Sequence, residues 1–126
     1  MSFIADRVLD LGLNVLDTEA THIYVTSAEA TTFTDATTTL ALGNKNFGAG
    51  GCFGAPAART PSGRKVASTA ITDGSITASG TATHWAVVDS ANSRLLATGA
   101  LASSQAVSSG NTFTLASFDI GIPGAA

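Results

Sequence analysis

Apolar residues fall at helical spacing from the start of the chain. Ile4, Val8, Leu11 and Val15 recur at i, i+4, i+7 and i+11, with Leu9, Leu13 and Leu16 beside them. Ser2 suits the N-cap and Asp6 the first turn, where an acceptor oxygen and a negative charge answer the free amides of a helix start. Gly12 costs about 1 kcal/mol of helix propensity. The pattern predicts a short amphipathic helix over about residues 3–16. Its apolar face should pack on a sheet or on a neighbouring subunit.

From Thr21 onward the period shortens to that of a strand. "THIYVTS" (21–27) is β-branched and aromatic and reads as a strand. Thr38 to Leu42 reads as a second short one, ending at Gly43. Further on, "RKVASTAI" and "SITASG" flank Asp73-Gly74, a two-residue hairpin signal because Gly tolerates the positive φ of such a turn. "TATHWAVVD" (81–89) sets Thr83, Trp85 and Val87 against Ala82, His84, Ala86 and Val88. Both sets are largely apolar or small, which places this strand inside a sheet covered on both faces. "SANS" turns the chain into "RLLATGAL" (94–101), and "SSGN" (108–111) turns it into "TFTLASFDIGI". Pro123 and the small residues after it are expected to lie beyond the last element. Six to eight strands at spacings of about 8–12 residues predict one mainly β domain over residues 1–126. Its fold is expected to be an antiparallel sandwich or small barrel with a short N-terminal helix.

One stretch follows neither period: "NKNFGAGGCFGAPAARTPSGRK", residues 44–65. At about twenty residues it exceeds an ordinary connection within a compact domain. Residues 44–63 therefore read as a long extended arm, ordered mainly when it lies on a neighbour. The glycines at 48, 50, 51 and 54 miss the dinucleotide spacing, because the sixth residue from Gly48 is Phe53. Pro56 and Pro61 also deny the helix that such a loop would feed. Phe47 and Phe53 read as anchors for a protein groove, with Lys45, Arg59, Arg64 and Lys65 as the accompanying charges. Stacking of the two rings on nucleic-acid bases is the alternative. Removing residues 46–58 is expected to leave the sandwich folded and to weaken assembly.

The charge distribution sharpens this picture. Residues 1–35 hold six acids and Arg7, residues 36–72 four bases and no acid, and residues 73–126 three acids and Arg94. The net charge of −3 gives no reason to expect general nucleic-acid binding. A basic segment in an acidic chain instead suits the negative surface of a protein neighbour. Charged residues make up only 12% of the chain, about half the usual share. Eighteen Thr and thirteen Ser give it a hydroxyl-rich surface. A free soluble monomer usually carries more charge, so a partner is expected to cover part of that surface.

Catalytic signals are sparse. There is no Gly-x-Ser-x-Gly elbow. His22 and His84 are the only imidazoles, and His84 sits in a strand beside Trp85, where a packed or hydrogen-bonded ring is the default. Cys52 lies in a Gly-rich run, a poor platform for a positioned nucleophile. As the single cysteine, it cannot form an intramolecular disulfide. The scattered carboxylates offer no metal-ligand spacing. No enzyme activity, cofactor or metal is therefore expected. No run of about 18 apolar residues indicates a membrane span, and no basic-then-apolar leader opens the chain. The expected setting is the cytoplasm of the producing cell, until assembly.

Three segments carry a resemblance: "PAARTPSGRKV" (56–66), "SGTATHWAVVDSANSRLLATGAL" (79–101) and "SSGNTFTLASFDIGIP" (108–123), with "ADRVLDLGLNVLDTEATHIYV" in the same pattern. They resemble small structural proteins of tailed bacteriophages and prophages. The resemblance implies a virion component of the capsid surface, a decoration or cement protein bound to the major capsid protein and to copies of itself as a homo-oligomer. It carries no catalytic residue. A tail, fibre-base or receptor-binding module is the alternative role.

Overall fold

In the computed structural model, residues 5–48, 50–60 and 62–123 are described, and helix α1 spans Asp6–Glu19. Ser2, Ile4, Pro61 and the residues after Pro123 lie outside the described residues. The helix runs three residues past the expected end at 16. Leu16 still faces the core, and the Thr18 hydroxyl donates to the Asn14 carbonyl at 2.7 Å within the last turn. Leu9, Leu13 and Leu16 form the buried stripe. Val8, Leu11 and Val15, which share the helical spacing of Ile4, face outward. Burying the leucines removes more apolar area from water than burying the two valines and Leu11 would.

Nine strands follow among the described residues: β1 (His22–Thr26), β2 (Ala41–Asn46), β3 (Ala57–Ala58), β4 (Arg64–Ala67), β5 (Ile71–Ile76), β6 (Gly80–Asp89), β7 (Arg94–Val107), β8 (Thr112–Leu115) and β9 (Asp119–Ile122). One sheet has the order β7-β6-β1-β2-β5-β8 and the other β3-β4-β9. Every pairing is antiparallel. The larger sheet does not close on itself, so the fold is sandwich-like rather than a barrel.

The alternation in β1 and β6 divides two cores. Ile23 pairs with Val87 and Val25 with Trp85 on one face, and Tyr24 pairs with Ala86 on the other. The first face joins Leu13 and Leu16 of α1, Val66 of β4 and Phe113 of β8 in the main core. The second face packs Ala86 and Val88 against Ala30, Ala36, Phe33 and Leu40. Both faces of β6 are thus covered, as its composition predicts.

The Thr-rich run before β2 departs from expectation. Residues Asp35–Thr39 form a π turn, closed by the Leu40 N–H donating to the Asp35 carbonyl at 2.9 Å. The Asp35 carboxylate accepts from the Thr31 hydroxyl at 3.0 Å, and the Asp35 N–H donates to the Thr32 hydroxyl at 3.0 Å. These local bonds draw the run into a turn, so β2 begins only at Ala41 and continues past Gly43. The Asp73-Gly74 hairpin is also corrected, because both residues lie inside β5. Gly74 pairs with Phe113, whose ring covers the glycine so closely that a Cβ would overlap it. Gly99 serves Trp85 in the same way across the β6–β7 pair. Both glycines act by admitting an aromatic ring against a strand.

The largest correction concerns residues 44–63, which are not a free arm. Asn44 to Asn46 belong to β2, and Cys52 and Phe53 lie in the main core at 0% and 3% exposure. The Thr69 N–H donates to the Cys52 carbonyl at 2.8 Å, and the Gly54 N–H donates to the Ala67 carbonyl at 3.0 Å. Between β2 and β3 the segment is irregular because its glycines and Pro56 suit no ladder, yet it is stitched to the chain around β4, and Ala57 and Ala58 pair with β4 as β3.

Candidate functional site

The six residues expected to grip a partner divide by environment. Phe53 is a core side chain, edge-on to Phe118 with ring centroids 6.1 Å apart, and so offers no surface anchor. Phe47 follows β2 and is half-buried against the main core. Its N–H donates to the Thr21 carbonyl at 2.8 Å, and the Lys45 ammonium lies 5.9 Å from its ring centroid.

Three of the four bases are paired within the chain. Lys45 meets Asp73 at 2.9 Å and Lys65 meets Asp119 at 3.0 Å. Arg64 grips Asp10 through two bonds, Nε to Oδ1 at 2.7 Å and an Nη to Oδ2 at 3.3 Å. The Arg64–Asp10 pair ties β4 to α1, and its forked geometry is the stronger kind. Arg59 donates to the Ser62 carbonyl at 3.0 Å and lies over Gly121 at the edge of the small sheet. The basic segment therefore answers acids of its own chain, one from the N-terminal third and two from the C-terminal half.

The groups with catalytic potential are dispersed. His22 pairs with Val88 and His84 with Thr26, at opposite ends of the β1–β6 ladder, roughly 13 Å apart along the strands. The His84 Nδ1 lies 2.8 Å from the Thr83 hydroxyl, which itself lies 2.9 Å from the Ser27 carbonyl. His22 stacks on Tyr24, and its Nδ1 lies 2.8 Å from the Thr21 hydroxyl. Burial lowers the His22 pKa below the usual histidine value and raises that of Tyr24. Burial also pushes the Cys52 thiol up to about 12, leaving it a protonated core group at neutral pH. Among the described residues, no three His, Cys, Asp or Glu side chains gather as a metal-holding group, and no helix is long and apolar enough to cross a membrane.

Two surface features were missed by the sequence reading. One is the outward stripe of α1, Val8, Leu11 and Val15, exposed by 62%, 54% and 37%. Its spacing was visible in the sequence, but which of the helix's two apolar stripes would turn inward was not. The other is a cleft of about 470 Å³ between β7 and the β8–β9 region, lined in part by Trp85, Leu101, Ser103, Gln105, Leu115 and Phe118. Beside it the β6–β7 register shifts, with residues 101–104 lying between the pairs His84–Ala100 and Ala82–Gln105. The polar run Ser103-Ser104-Gln105, which interrupts the apolar alternation of β7, was the available signal. Among the described residues, no ionisable side chain lines the cleft.

Comparison with protein-family models, with curated proteins and with solved structures finds no match for this chain.

Proposed function

We propose that this chain is a structural protein of a tailed-phage virion, a decoration or cement protein that binds the major capsid protein and copies of itself on the head surface. The observation that carries the reading is the character of the surface. Three of the four bases of residues 44–65 are held in ion pairs within the chain, and among the described residues the exposed large apolar side chains gather on one helical stripe. A surface low in charge, rich in hydroxyls and marked by an apolar stripe favours protein neighbours over phosphate or other ionic ligands. The likeness of residues 56–66, 79–101 and 108–123 to small phage structural proteins supports the same reading. A cement protein works by binding across the joints between assembled subunits, and so stabilises the shell by mass action. In this reading the partner surface includes Lys45, Phe47, Arg59, Arg64 and Lys65 only as a rim, and Phe53 drops out of it.

A tail, fibre-base or receptor-binding module is the second reading, favoured by the open uncharged cleft beside Trp85 and Phe118. Position and copy number in purified particles separate the two. Many copies over the head support the first reading, and a few copies at the tail support the second.

A further inference from the structure

Val8, Leu11 and Val15 are the exposed large apolar side chains among the described residues, and all three belong to α1. They recur at i, i+3 and i+7, the spacing of a two-helix seam. Leu9, Leu13 and Leu16 already bury the other stripe of the helix in the chain's own core. A second apolar stripe adds nothing to the stability of an isolated copy, where polar residues would serve as well. The two ends of the helix also differ in charge. Arg7, the only base of α1, follows Asp6 at its start and makes that end neutral, whereas the last turn carries Asp17 and Glu19, the latter paired with Arg94 at 3.2 Å. Arg7 and Asp17 make no ion pair among the described residues.

We infer that this seam binds the same helix of a second copy, antiparallel about a two-fold axis, with Leu11 of each copy packed on Val15 of the other. The antiparallel arrangement sets Arg7 of one copy level with the acidic last turn of its neighbour. It also places the positive end of one helix dipole beside the negative end of the other. A parallel pair would instead crowd Asp17 and Glu19 of both copies together. The inference rests on the self-association in the proposed function, but not on the virion. Three residues a side bury much less than the roughly 800 Å² per partner of a standard interface. The contact is therefore weak between free copies and gains strength where many copies are held on one surface.

Cysteine cross-linking tests both the seam and its direction. Leu11→Cys and Val15→Cys proteins are oxidised separately and as a mixture, and dimers are read on a non-reducing gel. Cys52 is fully buried and stays out of the reaction. The expected result is a several-fold faster dimer in the mixture than in either protein alone. Leu11→Asp, which leaves the core untouched, should then lower self-association in sedimentation without changing thermal unfolding. Faster cross-linking of Leu11→Cys alone would mean a parallel pair and overturn the inferred direction. Collision-rate cross-linking in every sample, with self-association unaffected by Leu11→Asp, would overturn the seam. If the seam fails while the unmodified protein still self-associates, the proposed function stands with its interface elsewhere. A protein that remains monomeric at every concentration removes the seam and the self-association together.

Discussion

Phe53 is where a single residue most changes the account. The Gly-rich stretch around it read as a surface arm, yet its ring is 3% exposed and edge-on to Phe118. Phe53→Ala should therefore cost about 3–5 kcal/mol of unfolding free energy, measured by chemical denaturation, as large-to-small changes in packed cores do. A loss near zero would return Phe53 to the surface. His22 gives a pH signature at the same scale. Burial lowers its pKa in the folded chain, so below the ordinary histidine value of 6.5 the unfolded chain takes up the proton first. Its contribution to stability is intact above pH 6.5 and is lost as the pH falls from there towards the lowered folded value. His22→Gln should flatten this segment of the stability–pH curve, and an unchanged slope would assign the dependence to other groups. Gly74 and Gly99 show what residue-level reading could not supply. A glycine in a strand signals a turn or a close approach alike, and only the cross-strand partner, Phe113 or Trp85, decides between them.

Among the elements, the strands with strong alternation were legible. β1 and β6 were visible from their β-branched and aromatic residues, and the burial of β6 on both faces followed from its composition. The helix was legible too, although its inward face was not, because Val8-Leu11-Val15 and Leu9-Leu13-Leu16 are both regular stripes. β4 and β9 lie inside runs with strand character, "RKVASTAI" and "TFTLASFDIGI", but the second run is two strands in different sheets, and pairings between distant segments, such as Val66 with Ile120, are encoded by no local pattern. Residues 44–63 failed for a related reason. Their glycines and prolines limit regular structure to the end of β2 and the two residues of β3, but irregular backbone is not the same as exposed backbone. The removal of residues 46–58 now carries the opposite expectation from the sequence reading. It takes Cys52 and Phe53 out of the main core and cuts their backbone bonds to Ala67 and Thr69. The shortened protein should lose its cooperative thermal transition. A sharp transition near that of the full chain would mean the segment is dispensable to the fold.

The whole molecule joins a covered sheet to a surface poor in free charge. Arg64–Asp10 ties the small sheet to α1, and Lys45–Asp73 and Lys65–Asp119 neutralise much of the basic segment on its own chain. The contrast between a basic middle and acidic flanks was plain in the sequence. Whether it would be satisfied within one copy or between copies depends on the fold, and the fold brings these residues together within one copy. The outer stripe of α1 is apolar, and the described residues lining the cleft between β7 and the β8–β9 region are uncharged. The proposed function makes a quantitative claim, since a protein that cements a shell must be present in numbers set by that shell. The most direct measurement is the copy number and position of this chain in purified particles, obtained by quantifying it against the major capsid protein and by labelling intact particles. The expected result is a fixed ratio to the capsid protein, with label spread over the head. A handful of copies confined to the tail, or none in the particle, would contradict it.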